Sequence, residues 1–127
     1  MIMAGRLFIL HNLECGTEDV NYIPYIITND KKDMTDIKEL KLNVKTTGAD
    51  LAGTNGYLTL GLVSEMDATE YVIKNQTTFG FNNGGEKTVI LDTSEINGEY
   101  YIKVSLTKTE GGGRLYIQNN GSVIGTP

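Results

Sequence analysis

The chain contains no tryptophan, a single cysteine, a single histidine and two prolines among its 127 residues. One thiol, Cys15, excludes an intramolecular disulfide framework and any zinc cage of several thiolates, so the fold must hold itself together by packing. One imidazole, His11, excludes a histidine-rich metal centre. On a single strand, residues four apart stand about 13 Å from one another, so His11 and Cys15 make a poor nucleophile pair. Cys15 reads instead as a structural thiol. Arginine is limited to Arg6 and Arg114, and the net charge is −5. The lysines are interspersed with acids, as in Asp30-Lys31-Lys32-Asp33 and Asp36-Ile37-Lys38-Glu39. Such a chain lacks the basic stripe that neutralises phosphates, so nucleic acid is not an expected partner. Long apolar runs are missing as well. Met1 to Leu10 has no sustained apolar segment and nothing approaches the ~18 residues of a membrane span, so no membrane insertion is expected.

Reactive constellations are equally scarce. Ser-His-Asp catalysis would have to use His11, and no Gly-x-Ser-x-Gly elbow accompanies it. Gly111-Gly112-Gly113 lacks the lysine and helix of a phosphate loop. Asp30, Asp33 and Asp36 are the candidates for a hard-cation site, but Lys31, Lys32 and Lys38 dilute them and the cluster reads as a solvated turn. No carboxylate pair stands out for glycoside hydrolysis. No catalytic residue, metal ligand or cofactor is assigned, and the expectation is a protein that is not an enzyme.

What the sequence does have is glycine, 15 residues of it, clustered with Asn and Thr between short runs rich in Leu, Ile, Val and Tyr. That pattern predicts many tight turns between pleated strands. In Glu39-Leu40-Lys41-Leu42-Asn43-Val44-Lys45 the apolar residues fall on one face with period two. Tyr57 to Ser64 repeats the pattern through Leu58, Leu60 and Leu62. Lys87 to Asp92 and Tyr100 to Lys108 are further strands, the latter placing Tyr100, Ile102, Val104 and Leu106 on one face. Gly111 to Gly113 then reads as the flexible tip of a hairpin returning through Arg114 to Asn119. Asn55-Gly56 reads as a tight turn into the second strand. Less regular strands are expected at Leu7 to Leu10, Tyr22 to Thr28, Tyr71 to Lys74 and Thr77 to Phe81. Pro24 places the second of these at a sheet edge. Glu65 to Gln76 could also be read as a helix, but Tyr71-Val72-Ile73 favours a strand. About eight strands with turn signals between them predict one all-β domain over residues 1–127, an antiparallel β-sandwich or barrel.

The run Asp33 to Val44, the strand Tyr57 to Leu62 and the segment Leu91-Asp92-Thr93-Ser94-Glu95-Ile96-Asn97-Gly98-Glu99-Tyr100-Tyr101-Ile102-Lys103-Val104 resemble galactose-binding-like jelly-roll modules of tailed-phage structural proteins. The resemblance spans Asp33 to Asn119. It implies a jelly roll of about eight strands and a place on the virion, assembled in the host cytoplasm, at the head surface, the tail or the baseplate. It further implies partners that are proteins, namely further copies of the chain and other virion components, with glycan adhesion as a possible task.

Two functional readings follow. In the first, the chain is a virion structural module that acts by protein–protein assembly, with Leu7, Phe8 and Leu10 as contact residues. In the second it binds carbohydrate, with Asn82, Asn83, Asn119 and Asn120 as hydrogen-bonding groups. Exposed aromatics serve either reading. Tyr101 and Tyr116 are the candidates, on the polar faces of their strands and placed to pair across the expected hairpin.

Overall fold

The computed structural model describes residues 7–17, 23–45, 48–81, 85–118 and 121–127, with the backbone alone at Leu7, Phe8 and Gly48. Within these residues the chain forms strands β1 (Leu7–His11), β2 (Glu14–Gly16), β3 (Tyr25–Ile27), β4 (Lys32–Asp33), β5 (Glu39–Val44) and β6 (Gly48–Ala49). They are followed by β7 (Asn55–Val63), β8 (Ile73–Gly80), β9 (Lys87–Asp92), β10 (Glu99–Glu110), β11 (Leu115–Gln118) and β12 (Gly121–Thr126). There is no α-helix among the described residues. The segment from Glu65 that admitted a helical reading is irregular as far as Val72 and then enters β8, so the two short strands expected there are one.

One sheet has the order β1-β12-β5-β9 and the other β3-β10-β7-β8, with β4 pairing the start of β10. Every pairing in both is antiparallel. With β2, β4, β6 and β11 set aside, eight principal strands remain. The first sheet then reads first, eighth, third, sixth, and the second reads second, seventh, fourth, fifth. That is the order left by two Greek keys rolled into a double sheet, the jelly roll. A small third sheet, β2-β11-β6, closes one side.

The alternation legible in the sequence builds the core. Leu40, Leu42, Val44, Val89, Leu91 and Val123 from the first sheet face Leu58, Leu60, Leu62, Phe79, Ile102, Val104 and Leu106 from the second. Leu13, Cys15, Leu115 and Ile117 join from the side. Each such side chain contributes roughly 1.5–3 kcal/mol by leaving water. Pro24 lies just before β3, an edge strand, and its carbonyl accepts from Leu106 N at 2.8 Å. The ring that cannot donate therefore sits where donation is not required.

Two expectations are overturned. β11 does not return along β10 as a hairpin: it leaves for the third sheet, pairing β2 and β6. Asn55-Gly56 is not a turn either, since both residues lie inside β7, paired with Gly80 and Phe79 of β8. Gly56 is required by packing, because a Cβ there would collide with the Thr107 carbonyl oxygen. The turn comes earlier, at Gly53, which has φ of 82°.

The two ends of the sandwich differ. At one, Asp33 Oδ1 accepts from Thr35 N at 2.9 Å and Asp92 Oδ1 accepts from Ser94 N at 2.9 Å and from Ser94 Oγ at 2.6 Å, forming Asx turns. The hydroxyls of Thr35 and Ser94 first, and their backbone N–H groups second, hold both carboxyls below their ordinary pKa. The two loops interlock. Thr93 Oγ1 donates to Ile37 O at 2.6 Å, Met34 N to Gly98 O at 2.8 Å and Gly98 N to Thr35 Oγ1 at 3.1 Å. β10 then runs its 12 residues to the other end, a span of about 40 Å.

Candidate functional site

At that far end the backbone is organised around Thr54, which is fully buried. Its N–H donates to Leu51 O at 3.2 Å, its carbonyl accepts from Phe81 N at 3.0 Å, and its hydroxyl accepts from Gly113 N at 3.0 Å. The glycine tip expected to be flexible is therefore packed. Gly111 has φ of 94°, and a Cβ on it would run into the Thr54 backbone. Asp50 clamps the next residue: Arg114 N donates to its Oδ1 at 2.7 Å, and Arg114 Nε lies 3.2 Å from its Oδ2. Asp50, Leu51, Gly112, Gly113 and Arg114 line a shallow depression of about 320 Å³. Beside this rigid frame Leu51 is 54% exposed and Phe81 49% exposed. Their backbones are fixed on either side of Thr54 by its two main-chain hydrogen bonds. Apolar side chains presented by an ordered backbone can dock against a partner with little further loss of entropy.

A second surface is the outer face of the β1-β12-β5-β9 sheet. Residues with the opposite parity to the core, Glu39, Lys41, Asn43 and Thr88 among them, line a trough of about 420 Å³ with Ser122, Ile124 and Thr126. Asn43 Nδ2 donates to Thr88 Oγ1 at 2.9 Å across the floor. The trough carries hydroxyl, amide, ammonium and carboxylate groups, the last from Glu39 and Glu86, and no aromatic ring.

The outer face of the other sheet is covered by the segment between β7 and β8. The Tyr71 ring lies against Gly61, where a Cβ would collide with it, and its hydroxyl is 2.7 Å from Ser105 Oγ. Burial pushes the Tyr71 hydroxyl up in pKa, and the Ser105 bond opposes that shift. Lys103 Nζ donates to Ala68 O at 3.2 Å and sits 4.7 Å from the Tyr25 ring centroid and 5.6 Å from that of Tyr71. The ammonium thus binds the covering segment to the sheet through a carbonyl and two aromatic faces.

Of the residues expected from sequence, Leu7 and Phe8 have their side chains outside the described residues, while Leu10 is half-buried and packs on the core. Tyr101 and Tyr116 are both half-buried and do not pair, because β10 and β11 belong to different sheets. Lys31 Nζ lies 5.9 Å from the Tyr101 ring centroid and the Arg114 guanidinium 4.7 Å from that of Tyr116. Asn82, Asn83, Asn119 and Asn120 lie outside the described residues. Cys15 is buried in the core, and burial pushes its thiol up to about 12. Sequence reasoning missed Thr54 and Lys103, for which no local signal exists, since each acts on residues remote in the chain.

Fold and strand order together define an all-β sandwich of the jelly-roll type. No family model matches the chain, and no curated protein does. Among solved structures it is similar to one titled "Structure of infectious bursal disease virus Gt strain", at 15% identity and a TM-score of 0.47 over 96% of this chain. The chain spans 31% of the length of that one.

Proposed function

We propose that the chain is a structural module of a virus particle, a head-decoration, tail or baseplate component of a tailed phage, which works by protein–protein assembly and catalyses no reaction. The observation that carries this reading is the jelly-roll strand order, an architecture used by viral capsid domains. It stands together with the sequence resemblance over Asp33 to Asn119. The end built on Thr54 supplies a contact surface, with Leu51 and Phe81 as anchors. The partners are further copies of the chain and other virion proteins, and Leu7, Phe8 and Leu10 on the edge strand β1 are a second contact region. Cross-linking mass spectrometry on assembled particles tests the reading. Cross-links from this chain to capsid, tail or baseplate proteins support it, and a chain absent from purified particles sinks it.

The trough on the β1-β12-β5-β9 face supports a second reading, carbohydrate binding. Asn43, Thr88, Ser122 and Lys41 offer donors and acceptors suited to sugar hydroxyls. A glycan array in which Asn43→Ala abolishes a saturable signal supports it, and an array without any such signal removes it.

A further inference from the structure

An asparagine followed by a glycine carries a reaction of its own. The glycine nitrogen can close a succinimide ring on the asparagine side-chain carbonyl carbon, and a residue without a Cβ leaves that approach open. The sequence has four such pairs, at 55–56, 83–84, 97–98 and 120–121. Two of them, Asn55-Gly56 and Asn97-Gly98, lie wholly within the described residues.

The fold treats these two pairs differently. Asn55 and Gly56 lie in β7, laddered on one side to Gly80 and Phe79 of β8 and on the other to Glu110 and Lys108 of β10. Ring closure folds the chain back on itself at the asparagine, which a strand held in two ladders resists. The Asn55 amide is committed as well, donating to Glu110 Oε1 at 3.0 Å and to Gly53 O at 3.3 Å. Asn97 and Gly98 instead occupy the exposed connection between β9 and β10, outside any ladder. Gly98 has φ of 98°, and no hydrogen bond holds the Asn97 side chain among the described residues.

We propose that Asn97 is a modification site, at which water converts the side-chain amide to a carboxylate by way of a succinimide, and that the Thr35 hydroxyl restrains the reaction. The Gly98 nitrogen gives its proton to hydroxide and bonds to Cγ of Asn97. The Cγ–Nδ2 bond breaks, and Nδ2 takes a proton from water and leaves as ammonia. Water then adds to either ring carbonyl and opens the ring, giving aspartate or, by attack at the main-chain carbonyl, isoaspartate. One water is consumed and one ammonia released, with no oxidation or reduction. Gly98 N donates to Thr35 Oγ1 at 3.1 Å, and Gly98 O accepts from Met34 N at 2.8 Å, so both peptide groups of Gly98 are tied to the loop after β4. The nitrogen must shed the Thr35 bond to reach Cγ, and loss of that acceptor speeds the step roughly fivefold, the rate equivalent of one net hydrogen bond. The product loosens this end of the sandwich. Isoaspartate inserts a methylene into the main chain ahead of Gly98, which carries its N–H and C=O out of register with Thr35 and Met34. It also adds a carboxylate to a segment that already holds Asp92, Glu95 and Glu99. This inference is independent of the assembly reading.

Peptide mapping by mass spectrometry on the full native chain, aged at mildly alkaline pH, tests the site. The peptide holding Asn97 should accumulate aspartate and isoaspartate while the peptide holding Asn55 keeps its amide. In chain unfolded by urea the two asparagines should react at comparable rates, which shows that the fold makes the difference. Thr35→Val should speed conversion at Asn97 about fivefold, and Thr35→Ser, which keeps the acceptor, should age like the parent. Amide exchange at Met34 and Gly98 should quicken in the aged protein and stay unchanged in an aged Asn97→Gln variant. A native chain in which Asn97 keeps its amide as long as Asn55 does would overturn the site. A folded Thr35→Val chain that ages no faster than the parent would overturn the restraint given to the hydroxyl.

Discussion

The side-chain amide of Asn75 in β8 donates to the carbonyl of Ile90 in β9 at 2.9 Å and accepts from the N–H of Gln76 at 2.9 Å, so one residue fastens the margins of both sheets. The two strands belong to opposite layers of the sandwich and share no ladder. Asn75→Ala should cost on the order of 1 kcal/mol, the net worth of exposed hydrogen bonds. Urea denaturation measures that loss, and amide exchange at Gln76 should quicken in parallel. Unchanged exchange at Gln76 would show that the amide does not hold the edge.

Thr54 is the corresponding fastener at the far end. Thr54→Val keeps the volume but leaves the Gly113 N–H without its acceptor in a buried position, a loss of roughly 1–3 kcal/mol. Limited proteolysis should then cut within residues 111–113 before any other described loop. A variant as stable and as resistant as the parent would refute the role given to the hydroxyl.

Gly61 and Tyr71 make a tighter test of the segment covering the second sheet. Gly61→Ala drives a Cβ into the Tyr71 ring and to 2.7 Å from the Ile73 carbonyl oxygen, so the ring must leave its seat. Overpacking of this kind costs about 1–3 kcal/mol. Tyr71→Phe retains the ring and loses only the contact with Ser105, about 1 kcal/mol. Hydrogen exchange over residues 64–72 should rise sharply in the first variant and slightly in the second. Equal effects would place the covering segment under the control of the hydroxyl rather than the ring.

Cys15 sets a pH dependence. The thiol ionises near 9.0 when unperturbed, and burial pushes it up to about 12 in the fold. Below pH 9 it is protonated in both states and contributes no slope. Between pH 9 and 12 the unfolded chain loses this proton while the folded chain keeps it, so stability falls as pH rises, on the order of 1 kcal/mol per pH unit. Cys15→Ala should remove that share of the alkaline slope. In native protein at pH 8 the thiol should resist a disulfide reagent until urea is added, and rapid native labelling would contradict its burial.

The all-β class and six of the principal strands, β1, β3, β5, β7, β9 and β10, were legible in the sequence, with β8 read as two short strands, because period-two alternation and runs rich in β-formers are local properties. Pro24 likewise announced an edge, since a missing donor is a fact about one residue. Other features were decided in three dimensions. β12 fills the place between β1 and β5 with small residues such as Gly121 and Gly125, which give no strand signal of their own. Three glycines after β10 announced a turn, but nothing in them determined which sheet the next strand would join. Asn55-Gly56 has a turn-former's composition and lies within a strand, because the constraint on Gly56 comes from Thr107, remote in the chain. Thr54, Asn75 and Lys103 matter through partners 59, 15 and 35 positions away. Local pattern determined which segments are pleated and which face is apolar; the hydrogen bonds that fasten the layers and shape the exposed ends form only between residues that the roll of the two Greek keys brings together.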